Sequence, residues 1–121
     1  MGFALCYVIF ILVPVAGPYY QFPRPADWFI ANVPAQAVYG ALAKGSSYGA
    51  AFPSSHVAAA WIAVAATVPG SRGWAGGLAT LAAMLTVGVI YCQMHYGVDV
   101  IAGLMVAGLA IFMAGRIAPS S

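Results

Sequence analysis

Two long apolar stretches constrain the fold of this chain more than any other feature. Residues 74–94 and 98–116 each supply close to the number of apolar residues, about 20, that a helix needs to cross a bilayer. Residues 2–16 and 54–68 are shorter and also apolar. The sequence therefore predicts an all-α, polytopic membrane bundle of about four spans near these positions, formed by one membrane domain over residues 1–121.

The charge content indicates that lipid, rather than water, surrounds most of the chain. The sequence has four Lys or Arg residues and two Asp residues, so that 5% of it is charged, whereas soluble domains carry about 25%. A net charge of +2 is too small and too scattered for nucleic-acid binding. Cys6 and Cys92 lie in apolar stretches and are expected to be buried thiols. The N-terminus lacks the basic region of a cleaved signal peptide.

Residues 17–53 differ from the apolar stretches because they contain five prolines together with Arg24 and Lys44. Long connections of this kind in compact domains are usually functional. Tyr19, Tyr20 and Trp28 are typical of the aromatic belt at a membrane interface. This segment is therefore predicted to be an interfacial connection that contains one short helix near residues 34–43.

The order of the spans predicts which polar residues share a membrane face. With four spans, the ends that carry His56, His95 and Asp99 meet at the face of the long connection. Arg72 and Arg116 meet at the opposite face, and Arg72 lies in a short loop, where the positive-inside rule is strongest. The histidine face is therefore expected to be extracytoplasmic.

Both histidines and one aspartate at this face can take part in acid–base and nucleophilic chemistry. His95 and Asp99 are four residues apart, so the carboxylate can accept one imidazole N–H and leave the other nitrogen free to attack. His56 opens the span that begins near Ser54, a natural helix N-cap. Free N–H groups at a helix start bind anions, and a histidine there can protonate a leaving oxygen. Together these residues indicate phosphoryl transfer.

At these residues the sequence resembles the type 2 phosphatidic acid phosphatase (PAP2) superfamily. The Pro-Ser-x-His motif of that family matches Pro53–His56, and its His-x-x-x-Asp motif matches His95–Asp99 with Ala102-Gly103 behind it. The Gly17–Tyr20 and Phe52–Ser54 stretches resemble the branch that contains inositol phosphotransferases of sphingolipid synthesis.

The resemblance implies an enzyme with a partial form of a six-helix core. His95 would be the nucleophile that forms a phosphohistidine, Asp99 its orienting group and His56 the general acid. The substrate would be a lipid-linked phosphate ester, with water or an alcohol as acceptor, and no metal or other cofactor would be needed. Ser54 and Ser55 are candidate phosphate-binding residues, as are Arg24 and Lys44.

The chain departs from the family pattern in two of its motifs. Gly17 stands where the first motif has Lys, and Gly88-Val89 stand where the third motif begins with Ser-Arg. The family core has six spans, whereas this sequence predicts four. The chain is therefore expected to be a fragment or a truncated form without the first two spans. The alternatives are therefore an inactive PAP2-like protein, or a haem-carrying helix bundle with His56 and His95 as axial ligands.

Overall fold

The computed structural model describes residues 2–45 and 49–117, and its regular structure there is helical except for one isolated bridge between Val15 and Ala50. In chain order the helices are α1 (Gly2–Leu12), α2 (Pro18–Gln21), α3 (Asp27–Ile30), α4 (Val33–Gly45), α5 (Ser55–Thr67), α6 (Arg72–Tyr91) and α7 (Gly97–Ile117). The predicted helical class is therefore confirmed.

Helix length separates α6 and α7 from the other apolar helices. These two have 20 and 21 residues and are long and apolar enough to cross a membrane. Most of their apolar surface faces outwards, since only 17% and 33% of their most apolar windows are buried. At 1.5 Å per residue, α1 and α5 are about 17 and 20 Å long, shorter than a hydrocarbon core of about 30 Å. The four-span arrangement and the six-helix core thus remain predictions.

Helix α5 packs against both α6 and α7, and α1 packs against α5 and α7. One buried cluster joins Cys6 of α1, Ala58 of α5 and Val106 of α7. The indole N–H of Trp61 donates to the Thr86 hydroxyl over 3.1 Å and links α5 to α6. Small side chains allow this close packing, as is usual between helices in lipid.

The connection between α1 and α5 contains more helix than the sequence predicts. Helix α4 spans Val33–Gly45, slightly longer than the predicted 34–43, and the single turns α2 and α3 precede it. Backbone bonds from Val15 N to Gly49 O and from Ala51 N to Val15 O, 3.2 and 3.1 Å long, bring the two ends of the connection together. The connection therefore starts and ends at one place, just ahead of α5.

Candidate active site

The turn that carries His95 is built by the C-terminal cap of α6. Gln93 has a φ of 56°, and its N–H donates to the Ile90 carbonyl over 3.1 Å. The N–H of Met94 donates to the Val89 carbonyl over 2.9 Å. These two bonds form a Schellman motif, which satisfies the last carbonyls of a helix. His95 follows directly, and its own N–H donates to the same Val89 carbonyl over 3.1 Å.

The His95 ring is buried, with 4% of the residue exposed, and its Nδ1 lies 2.8 Å from the Ala51 carbonyl oxygen. A carbonyl can only accept, so Nδ1 carries the proton and Nε2 keeps its lone pair. The spacing of His95 and Asp99 predicts Asp99 as the acceptor, but Asp99 Oδ2 lies 3.8 Å from Nδ1, beyond hydrogen-bond distance. The backbone of Ala51, which no sequence motif marked, therefore orients the ring.

Asp99 joins the start of α7 to the start of α5. Its Oδ2 accepts the N–H of Tyr96 over 2.7 Å, and its backbone carbonyl accepts the N–H of Ser54 over 3.0 Å. The residue is 1% exposed. A carboxylate 3.8 Å from the His95 ring favours a positive charge on that imidazole.

His56 lies in the first turn of α5, where the chain is capped by Ser54. The Ser54 hydroxyl accepts the N–H of Val57 over 3.4 Å and is fully buried. His56 is exposed, and its ring centroid lies 5.8 Å from that of His95, with 57° between the ring planes. The two histidines predicted at one face are thus brought together.

A cleft of about 600 Å³ opens beside both imidazoles. Its walls come from α1, α2, α4 and the first turn of α5, and they are mostly apolar and aromatic. Among the described residues that line it, the groups able to contact an anion include Ser55, His56 and His95, and none is Lys, Arg, Asp or Glu.

Three of the predicted phosphate-binding residues lie outside the described lining of this cleft, and only Ser55 is part of it. Ser54 uses its hydroxyl as the cap of α5. The Arg24 guanidinium lies 5.0 Å above the ring of Tyr39, a cation–π contact. Lys44 is exposed in the last turn of α4.

Burial sets the protonation of His95. Desolvation lowers the pKa of His95 below its ordinary value, and a positive charge on nearby His56 lowers it further, whereas the Ala51 carbonyl and Asp99 act in the opposite direction. Since the pKa falls from an ordinary 6.5, the imidazole is neutral at pH 7. A neutral imidazole with a free Nε2 is the form that acts as a nucleophile.

Comparison with known proteins identifies the family. A family model described as the PAP2 superfamily matches residues 2–113. No curated protein and no solved structure matches the chain. Within the part of the chain that the structure describes, no three His, Cys, Asp or Glu side chains converge as metal ligands.

Proposed function

The chain belongs to the PAP2 superfamily, and from this membership and the site geometry we propose a specific mechanism. The membership indicates a membrane protein with phosphatase-type function. The proposed enzyme is an integral-membrane phosphatase or phosphotransferase that works through a phosphohistidine at His95. The observation that carries the proposal is the pair of imidazoles 5.8 Å apart, with the ring of His95 held through Nδ1 by Ala51.

The reaction proceeds in two steps. In the first step, Nε2 of His95 attacks phosphorus, the P–O bond to the leaving alkoxide breaks, and protonated His56 gives its proton to that oxygen. In the second step, neutral His56 takes a proton from water or an alcohol, whose oxygen attacks phosphorus and breaks the P–N bond. Such proton transfer contributes about 10²–10⁴-fold to a rate. Water as acceptor gives a phosphatase, and an alcohol gives a phosphotransferase.

Asp99 acts on the ring that becomes charged. When His95 forms the P–N bond, its imidazole gains positive charge, and the Asp99 carboxylate 3.8 Å away stabilises that charge. The Ala51 carbonyl keeps the ring in place while this happens. Ser55 and the free N–H groups at the start of α5 contact the phosphate oxygens, and Arg24 and Lys44 would have to move to join them.

A lipid-linked substrate suits the surroundings of the site. A second cleft of about 450 Å³ adjoins His56 and has mostly apolar walls, which include Leu85, Val89 and Met94. An acyl or isoprenoid chain in this cleft would place its phosphate near the imidazoles. The site is proposed to lie in a multi-pass protein at the extracytoplasmic face, because Arg72 begins α6 and Arg116 lies at the far end of α7.

The test is to trap the phosphohistidine. Purified protein in detergent micelles is mixed with ³²P-labelled phosphatidic acid, and separately with ³²P-labelled phosphatidylinositol, and is then quenched in alkali, in which phosphohistidine is stable. Wild-type protein should retain label from at least one lipid. His95→Ala should retain none, and His56→Ala should be labelled more slowly by about 10²-fold or more.

Gln36→Ala, on an exposed face of α4, is the control and should be labelled as the wild type is. Equal labelling of His95→Ala would refute the assigned nucleophile. A wild-type protein that takes label from neither lipid would favour the inactive PAP2-like alternative. Release of free phosphate would then identify a phosphatase, whereas transfer of the phosphate to added inositol would identify a phosphotransferase.

A further inference from the structure

Gln93 occupies a backbone position that glutamine rarely takes. It is the residue that follows the last cap position of α6, and its φ of 56° is left-handed. At this position of a Schellman motif glycine is usual, because a Cβ makes the conformation costly. A residue held in such a conformation requires a compensating interaction and often marks a functional site.

The side chain of Gln93 supplies such interactions. The Tyr39 hydroxyl of α4 donates to Gln93 Oε1 over 3.2 Å. Gln93 Nε2 donates to the Pro23 carbonyl over 3.4 Å. The backbone carbonyl of Gln93 also accepts the N–H of Tyr19 in α2 over 2.8 Å. One residue therefore ties α2, the chain after α2, and α4 to the turn that carries His95.

Neighbouring contacts hold the same turn from the same side. The Tyr96 hydroxyl donates to Gln21 Oε1 over 2.9 Å. A Cβ built on Gly17 would lie 2.7 Å from the Met94 carbonyl oxygen, so the two backbones are in direct contact. Tyr19 of α2 and Val38 of α4 belong to the cleft wall. The contacts of Gln93 therefore join that wall to the nucleophile's turn.

We propose that Gln93 is a positioning residue, which fixes the turn of His95 against α2 and α4 and so sets the place of the imidazole relative to the cleft wall. Gln93 is not among the described residues that line the cleft, so it acts through these contacts and not on the substrate. The expected loss of labelling rate rests on the proposed phosphohistidine function, whereas the expected loosening of α2 and α4 on the turn does not.

Glycine at position 93 separates this role from that of a helix cap. A residue that only ended α6 would be replaced by glycine without loss, because glycine adopts a φ of 56° at no steric cost. A positioning residue would lose both side-chain bonds in the same variant. Gln93→Gly should therefore unfold near the wild-type temperature, because the relieved backbone strain offsets the lost bonds, yet form phosphohistidine more slowly.

The experiment measures labelling of His95 by ³²P-labelled phosphatidic acid in single turnovers. Gln93→Gly and Tyr39→Phe should each lower the rate at saturating lipid by about fivefold to tenfold, the value of one or two lost hydrogen bonds. The lipid concentration that gives half the maximal rate should stay unchanged. The double variant should be no slower than the slower single variant, since both changes remove one shared bond.

Gln36→Ala is the matched control, because it removes another glutamine side-chain bond on α4, to the Ala31 carbonyl. It should leave the labelling rate unchanged. A Gln93→Gly rate equal to that of wild type would overturn the proposal, and so would additive effects in the double variant.

Hydrogen exchange of the backbone tests the contacts without any activity. In Gln93→Gly and in Tyr39→Phe, the peptide that contains Tyr19 should exchange about fivefold faster than in wild type, because its packing on the turn is loosened. Unchanged exchange would overturn the proposal even in an active enzyme. If the wild-type protein takes no label but both variants still exchange faster, the proposed function would be refuted. The role of Gln93 in holding the turn against α2 and α4 would then stand.

Discussion

Gly103 controls how closely α7 approaches the start of α5, and so the place of His56. A Cβ built on Gly103 would lie 2.6 Å from the Ser54 carbonyl oxygen and 3.3 Å from the Ser54 Cβ. That carbonyl already accepts the N–H of Ala58 over 3.0 Å as the first helical bond of α5. The backbone there has little freedom to turn away, so Gly103→Ala must push the two helices apart.

The size of the effect follows from that distance. Ordinary contacts between carbon and a carbonyl oxygen are about 3.3 Å or longer, so the helices must separate by about 0.7 Å. Overpacking of this kind costs about 1–3 kcal/mol, which the better helix propensity of alanine offsets by about 0.5–1 kcal/mol. A misplacement of about 1 Å can cost about 10²-fold in rate. Labelling of His95 should therefore fall by about 10- to 100-fold.

Gly108→Ala is the control on the same helix, since a Cβ there would meet nothing within 4 Å. Thermal unfolding in detergent should show Gly108→Ala at or above the wild-type midpoint and Gly103→Ala below that of Gly108→Ala. The labelling assay should show only Gly103→Ala as slow. If both variants were labelled equally fast and unfolded at the same temperature, the packing of α7 on Ser54 would not position the site.

The remaining predictions concern pH and the two serines. Burial lowers the pKa of His95 from its ordinary 6.5, so more than half of the imidazole stays neutral at pH 6.5. Loss of the neutral form of His95 should therefore reduce the labelling rate at pH 6.5 by less than half. The free energy of unfolding should decrease as pH falls from about 6.5 towards the folded pKa, since only the unfolded chain takes up the proton there; a flat stability profile would contradict this. Ser54→Ala should lower stability by about 1 kcal/mol through loss of the cap. Ser55→Ala should instead slow labelling at an unchanged unfolding midpoint, and the reverse pattern would contradict the assignment.

The convergence of the two histidines could be predicted from sequence because it depends on local rules. Ser54 is a good N-cap and starts α5 where the Pro-Ser-x-His motif predicts it, with a buried hydroxyl that accepts from Val57. His95 follows a long apolar helix, whose end fixes the position of the next few residues. Such features need only the spacing along the chain and the order of the helices.

The partners of these residues could not be predicted, because they come from distant backbone. The acceptor for His95 is a carbonyl 44 residues away, at Ala51, and every residue of the chain carries an equivalent backbone carbonyl. Arg24 pairs with the Tyr39 ring, a choice that depends on the path of the connection through α2 and α3. The last residue of a helix is also hard to predict in apolar sequence, since apolar residues continue beyond both α1 and α5.

The packing of the site disfavours a cation at Gly17 and at Val89, where the chain departs from the family pattern. Gly17 touches the Met94 backbone, with 2.7 Å between a built Cβ and the carbonyl oxygen, so a lysine there would displace the turn of His95. Val89 is buried in a cluster with Val57 and Val100, where an arginine would lose its hydration without a partner. Both positions thus contribute contacts that hold the turn of His95. In the proposed mechanism, the charge of a bound phosphate would then be met first by His56 acting as the acid and by the N–H groups at the start of α5.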